Sequence, residues 1–268
     1  MNNYKFIVCF LLTKFDNEKN LIEFMSNYKR YVSGKDHQLL ICFKLLDNHT
    51  LKKYQNILKD IKYIQFIDNY EYNDYDLGSY KRIANKYKNC AILFLNSHSY
   101  PICNNWLLKL TNYFTDKTII ASSASNESMV DSVKFKKIYK FFSYLYRKWK
   151  FKKNFNSFPN PHIRTSGFLI KGEHYYNFIK DKKIYCKEDS WYLEAGKKGI
   201  TTYFKSKKFN IYVVNSDGNF FTEKNWKFSE TYNYKDQNKN IISDKHTRKY
   251  SESNFEKKIY YQKITWGK

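Results

Sequence analysis

Residues 91–99 read AILFLNSHS, five apolar residues that end on a short polar cluster, and proline follows at position 101. A short apolar run with such boundaries predicts a buried strand. In open α/β sheets, ligands bind outside the carboxyl ends of the strands. The side chains that follow this predicted strand, Asn96, Ser97 and His98, are therefore candidates for a binding site.

Apolar runs and helical patterns alternate along the chain before this strand. Three earlier apolar runs predict strands, at residues 5–12, 38–46 and 63–68. Three segments between them carry apolar residues at helical spacing, at residues 17–31, 51–61 and 76–87. Continuous apolar strands that alternate with helices are typical of parallel sheets covered on both faces. We therefore predict an α/β fold, Rossmann-like, with a mostly parallel central sheet.

Each of these predicted strands ends on a polar residue: Thr13, Asp47, Asp68 and Asn96. Polar side chains gathered at one edge of a sheet favour a nucleotide-type site. The sequence has no GxGxxG after its first strand and no GxxxxGK[ST], which argues against a dinucleotide site and a P-loop.

The second part of the chain is less regular. Helices are predicted at residues 104–114, 175–179 and 187–195, and strands at residues 118–123, 168–170, 201–204 and 210–215. From residue 216 the chain is polar and aromatic, which predicts a loosely ordered extension with a final strand at 258–265. We predict one domain over residues 1–205, with halves of about 1–100 and 101–205, and a C-terminal extension over residues 206–268.

The composition indicates a folded and strongly basic protein. Of 268 residues, 42% are hydrophobic, which excludes a disordered chain, and the net charge is +23. Such a charge predicts an anionic partner: nucleic acid, a membrane surface or a phosphorylated substrate. The codon usage of an AT-rich genome would enrich Lys, Asn, Ile, Tyr and Phe in the same way.

The five cysteines are odd in number and form no CxxC pair. This pattern predicts reduced cysteines in a cytoplasmic protein. The first apolar run is too short for a signal peptide core or a membrane span. We expect a protein that is cytoplasmic, or peripheral at the inner face of the cell membrane.

The segment from Lys134 to Lys153 contains nine Lys or Arg residues, eight aromatic residues and no acid. It predicts a helix that contacts a membrane surface, or a lid that binds an acceptor. The alternative is an amphipathic helix that packs its aromatic face on the sheet.

Three carboxylates, Glu188, Asp189 and Glu194, lie within one stretch of seven residues in this otherwise basic chain. A carboxylate here could act as a general base that deprotonates a hydroxyl nucleophile. Helical spacing places Ser190 and Glu194 on one face, whereas Asp189 and Glu194 need not share one. The alternative is an ordinary first turn of a helix, where acids are favoured.

Two further positions are candidates for contacts to a phosphorylated ligand. His162 and Arg164 would point to one face of a strand, and Arg can bind a diphosphate through a bidentate fork. The alternative is a simple transition from loop to strand. Asp76 could cap a helix, contact a ribose or base, or do both.

Taken together, these segments resemble a GT-A fold glycosyltransferase over roughly residues 4–205. The resemblance is to the family 2-like enzymes of bacterial polysaccharide assembly, and also to rhamnan-synthesis-type transferases. Asn96-Ser97-His98 stands at the place of the family's DxD motif, and Glu188-Asp189 at the place of the ED pair.

The resemblance implies a role for each of these residues. Asp189 would be the catalytic base, with Glu188 and Glu194 as alternatives. His162 and Arg164 would face the diphosphate or the acceptor. Residues 1–100 would bind the donor, and residues 101–205 the acceptor. The donor pocket would be lined by five residues: Thr13, Asp47, Asp76, Asn96 and Ser97.

The chain departs from the family at the DxD position, because Asn96 and His98 replace both acids. An amide oxygen is a weak, neutral ligand, so we do not expect strong dependence on Mn²⁺ or Mg²⁺. His98 is the ligand to consider first if a metal binds. Arg164 or a lysine would instead neutralise the diphosphate leaving group.

The resemblance implies an enzyme that moves a sugar from a UDP-, GDP- or dTDP-sugar to a glycan or lipid-linked acceptor, by inversion, in O-antigen or capsule synthesis. Two alternatives remain open. One is a nucleic-acid-binding module that uses basic and aromatic residues, although no nucleic-acid motif is present. The other is a catalytically inactive scaffold of the same fold.

Overall fold

The computed structural model of the chain describes residues 4–132 and 141–267. Its first part alternates strand and helix, as predicted. The elements are β1 (Phe6–Thr13), α1 (Glu18–Arg30), β2 (Gln38–Lys44), α2 (Asn48–Ile57), β3 (Ile64–Asp68), α3 (Tyr75–Lys86) and β4 (Ala91–Leu95).

The second part contains shorter elements. They are β5 (Tyr100–Pro101), α4 (Trp106–Thr111), β6 (Thr118–Ala121), β7 (Ala124–Ser125), α5 (Met129–Ser132), α6 (Phe141–Asn154), β8 (His162–Ile163), β9 (Gly167–Lys171), α7 (Gly172–Ile179), α8 (Lys187–Ala195), α9 (Ile200–Ser206), β10 (Asn210–Val214), β11 (Phe220–Phe221), a 3-10 helix (Glu223–Ser229), β12 (Ile242–Ser243), α10 (Lys245–Ser251) and α11 (Phe255–Trp266).

Among the described residues, eight strands form the central sheet, in the order β11-β10-β6-β9-β4-β1-β2-β3. The pairs β3-β2, β2-β1, β1-β4 and β6-β10 are parallel, whereas β9 runs antiparallel to both β4 and β6, and β11 runs antiparallel to β10. The predicted α/β class with a mostly parallel central sheet is confirmed. Two small antiparallel pairs, β5-β12 and β7-β8, lie beside it.

Helices cover both faces of the sheet, as the side chains of β4 show. All five residues of β4 are buried. Ile92 and Phe94 pack into the core beneath α3 and α7, whereas Leu93 and Leu95 pack into a second core beneath α1 and α4. Because successive side chains of a strand point to opposite faces, a strand buried on both sides reads as a continuous apolar run.

Two strands predicted from the sequence are helices in the structure. The segment predicted as a strand at 201–204 lies in α9, which buries Ile200, Thr201 and Phe204 on one side. The segment predicted as a strand at 258–265 lies in α11, whose first turn is capped by the side chain of Asn254. Both segments are rich in β-branched and aromatic residues, and packing and capping override that weak preference.

The segment after residue 216 is not the loosely ordered extension that we predicted. Trp226 of the 3-10 helix is buried in the larger core, and Ile241 and Ile242 are buried in the second core. β10 and β11 also follow residue 205, so the central sheet continues past the predicted boundary between domain and extension.

Candidate functional site

A cavity of about 590 Å³ opens at the carboxyl ends of the central strands. Loops after β4 and before β9 line it, together with the first turn of α3, one face of α8, and residues from the C-terminal segment. It brings together six residues that the sequence singled out: Asp76, Asn96, His98, His162, Arg164 and Glu194.

The direction of β9 explains why His162 and Arg164 lie near Asn96. β9 runs antiparallel to β4, and its first residue, Gly167, is paired with Leu95, the last residue of β4. The residues just before β9 therefore reach the same edge of the sheet as Asn96. This places His162 and Arg164, far from Asn96 in sequence, on the wall of the same cavity.

Glu194 lies among the charged groups of the cavity. Its Oε1 accepts hydrogen bonds from the Thr165 backbone N–H (2.8 Å) and hydroxyl (3.0 Å). Within the described residues, its Oε2 receives no hydrogen bond. Ser190 also lines the cavity, which confirms that Ser190 and Glu194 share a face of α8.

Two more carboxyl groups face this cavity. Burial, followed by the negative charge of Asp16, raises the pKa of Asp76 to about 6, and Glu194 adds to this effect. Burial likewise raises the pKa of Glu127, although the charge of Arg164 opposes this effect and that of Glu194 adds to it. Neither carboxylate forms a hydrogen bond or ion pair with a described residue. The cavity therefore holds acids that are poorly neutralised by the protein itself.

Arg164 is committed to the C-terminal segment. Its guanidinium donates to Asp244 at 2.6 and 3.3 Å and stacks on the ring of Tyr232, 3.9 Å from its centroid. Asp244 also accepts from the Ser166 hydroxyl at 2.6 Å and caps α10. Burial alone would raise the pKa of Asp244, but Arg164 and these hydrogen bonds hold it well below its ordinary value.

The turn Asn96-Ser97-His98 is tied to the loop after β1. The Asn96 side-chain oxygen accepts from the His98 backbone N–H and the Ser99 hydroxyl, which closes the turn. The Ser97 hydroxyl donates to Asp16 at 2.6 Å, and the His98 ring lies 4.0 Å from the same carboxylate. Asp16 thus supplies a carboxylate to a turn that has none of its own.

Five residues predicted for the site do not line this cavity. The hydroxyls of Thr13 and Ser97 both donate to the carboxylate of Asp16. Asp47 is exposed and caps α2. Glu188 pairs with Lys150 at 2.6 Å, and Asp189 accepts from the backbone of Tyr185 and Cys186 at the start of α8.

A buried ionic network fixes the start of α3, next to Asp76. Lys44, fully buried at the end of β2, pairs with Asp74 and donates to the Tyr75 carbonyl at 2.8 Å. Arg82 bridges Asp74 and Asp68. The helix begins at Tyr75, with Asp74 at its N-cap. Asp76 therefore lies inside the first turn, and the suggestion that Asp76 caps the helix is wrong.

Sequence reasoning missed the residues that the C-terminal segment contributes. Tyr232, Asp244, Lys245 and His246 all line the cavity. The Asp-x-x-Thr spacing of Asp244 and Thr247, which forms a capping box, is the signal that could have identified a helix start here. Asp16 could have been found from its position, because it follows the end of β1 as Asn96 follows the end of β4.

Within residues 4–132 and 141–267, no three His, Cys, Asp or Glu side chains converge in a way that could hold a metal ion. The side chain of Asn96 is engaged by the His98 backbone and the Ser99 hydroxyl, that of Ser97 by Asp16, and that of His98 by Asn20. These side chains therefore do not fit a bound Mn²⁺ or Mg²⁺.

No helix among the described residues is long and apolar enough to cross a bilayer.

No protein-family model matches the sequence, and no curated protein matches it either. Among solved structures, the chain is similar to GalNAc-T7 with UDP, GalNAc and Mn²⁺, at 10% identity and a TM-score of 0.44, over 66% of this chain and 37% of that one. It is also similar to the galactosyltransferase LgtC in complex with donor and acceptor sugar analogues, at 9% identity and a TM-score of 0.45, over 78% and 73% of the two chains.

A nucleotidyl transferase from Methanothermobacter is similar as well, at 7% identity and a TM-score of 0.43, over 78% of this chain and 97% of that one. All three TM-scores lie below 0.5, so the proposed function rests on the cavity and its residues.

Proposed function

We propose that the protein transfers a sugar from a nucleotide-sugar donor to a glycan or glycolipid acceptor. The observation that carries this proposal is the cavity at the carboxyl ends of the strands, which gathers six residues predicted independently from the sequence. Its volume, about 590 Å³, is within the range of cavities that hold small ligands. The family 2-like GT-A resemblance of the sequence supports the same reaction class.

We propose Glu194 as the general base of an inverting displacement. In this reaction the base takes the proton of an acceptor hydroxyl, the hydroxyl oxygen attacks the anomeric carbon, and the nucleoside diphosphate leaves with the bonding electrons. Thr165 holds one oxygen of Glu194, and the other, which receives no hydrogen bond from a described residue, can accept the proton. Asp189, the first candidate from the sequence, is engaged in capping α8, and Glu188 is paired with Lys150.

We propose that lysines of the cavity neutralise the departing diphosphate. Lys187 and Lys245 line the cavity, and neither forms an ion pair with another described residue. Arg164 also lines it, but its charge is offset by Asp244. Cations placed where negative charge develops stabilise the transition state. Asp76 and Asn96 are the donor contacts that we propose. Thr13 and Ser97 would act through Asp16, to which both hydroxyls donate, whereas Asp47 caps α2 outside the cavity.

As the biological setting, we propose surface polysaccharide synthesis, such as O-antigen or capsule, at the cytoplasmic face of the cell membrane. The basic composition suits a protein that handles anionic donors and acceptors.

A screen of UDP-, GDP- and dTDP-sugars tests the proposal, with binding measured by calorimetry in the presence of Mn²⁺ and of EDTA. We expect one donor to bind in both conditions. The Glu194→Gln variant should bind that donor as the wild type does and should lose transfer by a factor of about 10²–10⁴, the usual contribution of a general base. Glu188→Gln, on the same helix but outside the cavity, is the matched control.

Other outcomes would contradict parts of the proposal. If Asp189→Asn loses transfer and Glu194→Gln does not, the base is Asp189. Binding that requires Mn²⁺ would contradict the expectation that the protein does not depend strongly on a metal. If no donor in the panel binds, the transferase function itself is wrong.

A further inference from the structure

Helix α6 presents an apolar stripe to solvent instead of to the core. The side chains of Phe142, Leu145, Tyr146 and Trp149 are exposed by 82, 44, 64 and 60% respectively. Their spacing of i, i+3, i+4 and i+7 places them along one face of the helix, a pattern that normally marks the face packed on a core. The predicted alternative, in which this face packs on the sheet, is therefore wrong for the described part of the segment. Residues 134–140 lie outside the described residues.

The opposite side of α6 holds the helix on the protein. Phe151, nearly opposite Trp149 because successive residues are about 100° apart, is fully buried with Phe155 against Val130 and Ala195. Lys150 forms an ion pair with Glu188 of α8 at 2.6 Å. The exposed stripe is therefore held in place by packing and is not a consequence of a detached helix.

The charge of α6 indicates what covers the stripe. Between Phe141 and Asn154 the helix carries five Lys or Arg residues and no acid. Lys152 and Lys153 are exposed beside the apolar stripe. Two copies of this face would bring like charges together with no acid on either helix to neutralise them. An anionic surface would instead complement both the charge and the apolar stripe.

We propose that α6 docks the protein on an anionic lipid bilayer. Helices with Trp, Phe and Leu on one face and Lys or Arg beside it lie in the membrane interface, where Trp and Tyr rings are favoured. α6 shares its buried cluster with the rim of the cavity, since Ala195, Met129 and Trp191 belong to both. Docking through α6 would therefore bring the cavity close to the lipid headgroups. This inference does not require the reaction proposed above.

Co-sedimentation of the full chain with vesicles tests the inference, without any nucleotide sugar. We expect binding to phosphatidylcholine vesicles that contain phosphatidylglycerol, and little binding to phosphatidylcholine alone. Phe142→Ser/Trp149→Ser should weaken binding by about tenfold or more. Tyr72→Ser/Phe255→Ser removes two other aromatic side chains, exposed by 71 and 76%, and should bind as the wild type does.

A charge variant separates electrostatic from apolar attraction. Lys152→Gln/Lys153→Gln should weaken binding by about tenfold or more, because each cation near an anionic surface adds to the affinity. Lys52→Gln/Lys59→Gln has the same loss of charge at two exposed positions, one in α2 and one just after it, and should have a much smaller effect.

Three results would overturn the inference. One is equal binding of the wild type and the Phe142→Ser/Trp149→Ser variant. Another is binding to a random oligonucleotide that is tighter than binding to the vesicles and that the same variant loses, which would make nucleic acid the partner. The third is a dimer in sedimentation velocity that this variant abolishes, which would make a second copy the partner.

Discussion

Asp76 carries a carboxyl group whose pKa the fold raises to about 6, from an ordinary value of 3.8, chiefly through burial. A carboxyl group with a raised pKa in the folded state costs stability once it is ionised. This cost is absent below about pH 4 and complete above about pH 6. Such a group is retained at the expense of stability, which is common at binding and catalytic sites.

The Asp76→Asn variant should therefore be more stable than the wild type at pH 8, by at most about 3 kcal/mol, and nearly unchanged at pH 4. Urea denaturation at the two pH values measures this difference. Asp60→Asn, at an exposed position, is the control and should leave stability unchanged. Equal stabilisation at both pH values would show that ionisation of Asp76 is not the cause.

Lys44 and Asp74 form a pair whose members depend on each other. Lys44 is fully buried, so Asp74→Asn leaves a buried ammonium group without its counter-charge. We expect this variant to lose about 3–5 kcal/mol of stability. Adding Lys44→Met should recover part of the loss, because the unpaired charge is then gone. Two strictly additive losses, measured by urea denaturation, would contradict this coupling.

At the scale of the element, α3 depends on the absence of a side chain at Gly78. A Cβ atom there would lie 1.9 Å from the carboxyl carbon of Asp74, which binds Lys44 and Arg82. The glycine sits inside a helix, where alanine is ordinarily better by about 1 kcal/mol. The tertiary contact thus reverses the local preference.

We expect Gly78→Ala to destabilise the protein by about 1–3 kcal/mol, because Asp74 has to move away from both cations. Thermal denaturation of the variant gives the sign directly. Asn85→Ala, at an exposed position of the same helix, should be neutral or slightly stabilising. A stabilised Gly78→Ala protein would mean that Asp74 can shift without cost.

The apolar pattern predicted helix or strand correctly where it was long, as in β1 to β4 and the helices between them. The prediction failed at α9, which is short, and at α11, which is largely exposed. In such helices the packing partner and the cap decide the structure, and neither is visible in the apolar pattern. Helix α6 shows that the apolar pattern also does not reveal burial, since its apolar stripe has the spacing of a core face but is exposed.

At the scale of the whole molecule, the pair Arg164–Asp244 joins the sheet to the C-terminal segment. Both side chains are at most 10% exposed, and they are 80 residues apart in the chain. The pair closes one side of the cavity and anchors α10. The C-terminal segment is therefore a part of the site's wall.

Asp244→Asn should destabilise the protein by about 3–5 kcal/mol, because Arg164 stays buried without a counter-charge. Hydrogen exchange should increase over residues 240–267 before it increases in β1 and β2. The control, Asp217→Asn, breaks an exposed ion pair with Lys239 and should cost no more than about 1 kcal/mol. Unchanged exchange in α10 would contradict this anchoring role.

The sequence by itself determined the α/β class, the parallel strands β1 to β4 and the polar residues at their carboxyl ends. These features follow from local patterns: continuous apolar runs, helical spacing and the polar residues that end each strand. It also singled out Asp76, Asn96, His162, Arg164 and Glu194, although it could not tell which of the nearby acids would face the cavity.

Only the tertiary structure decided which of these residues share a cavity and what surrounds them. The antiparallel direction of β9 brings Arg164 to the end of β4, the cap of α8 engages Asp189, and the C-terminal segment supplies Asp244. The cap of α8 is local, since Asp189 accepts from residues three and four positions before it, but the apolar pattern does not show which of the neighbouring acids forms the cap. The positions of Arg164 and Asp244 depend on contacts between residues far apart in the chain, which local patterns do not encode. For the same reason, the turn Asn96-Ser97-His98 obtains its carboxylate from Asp16, on another strand end.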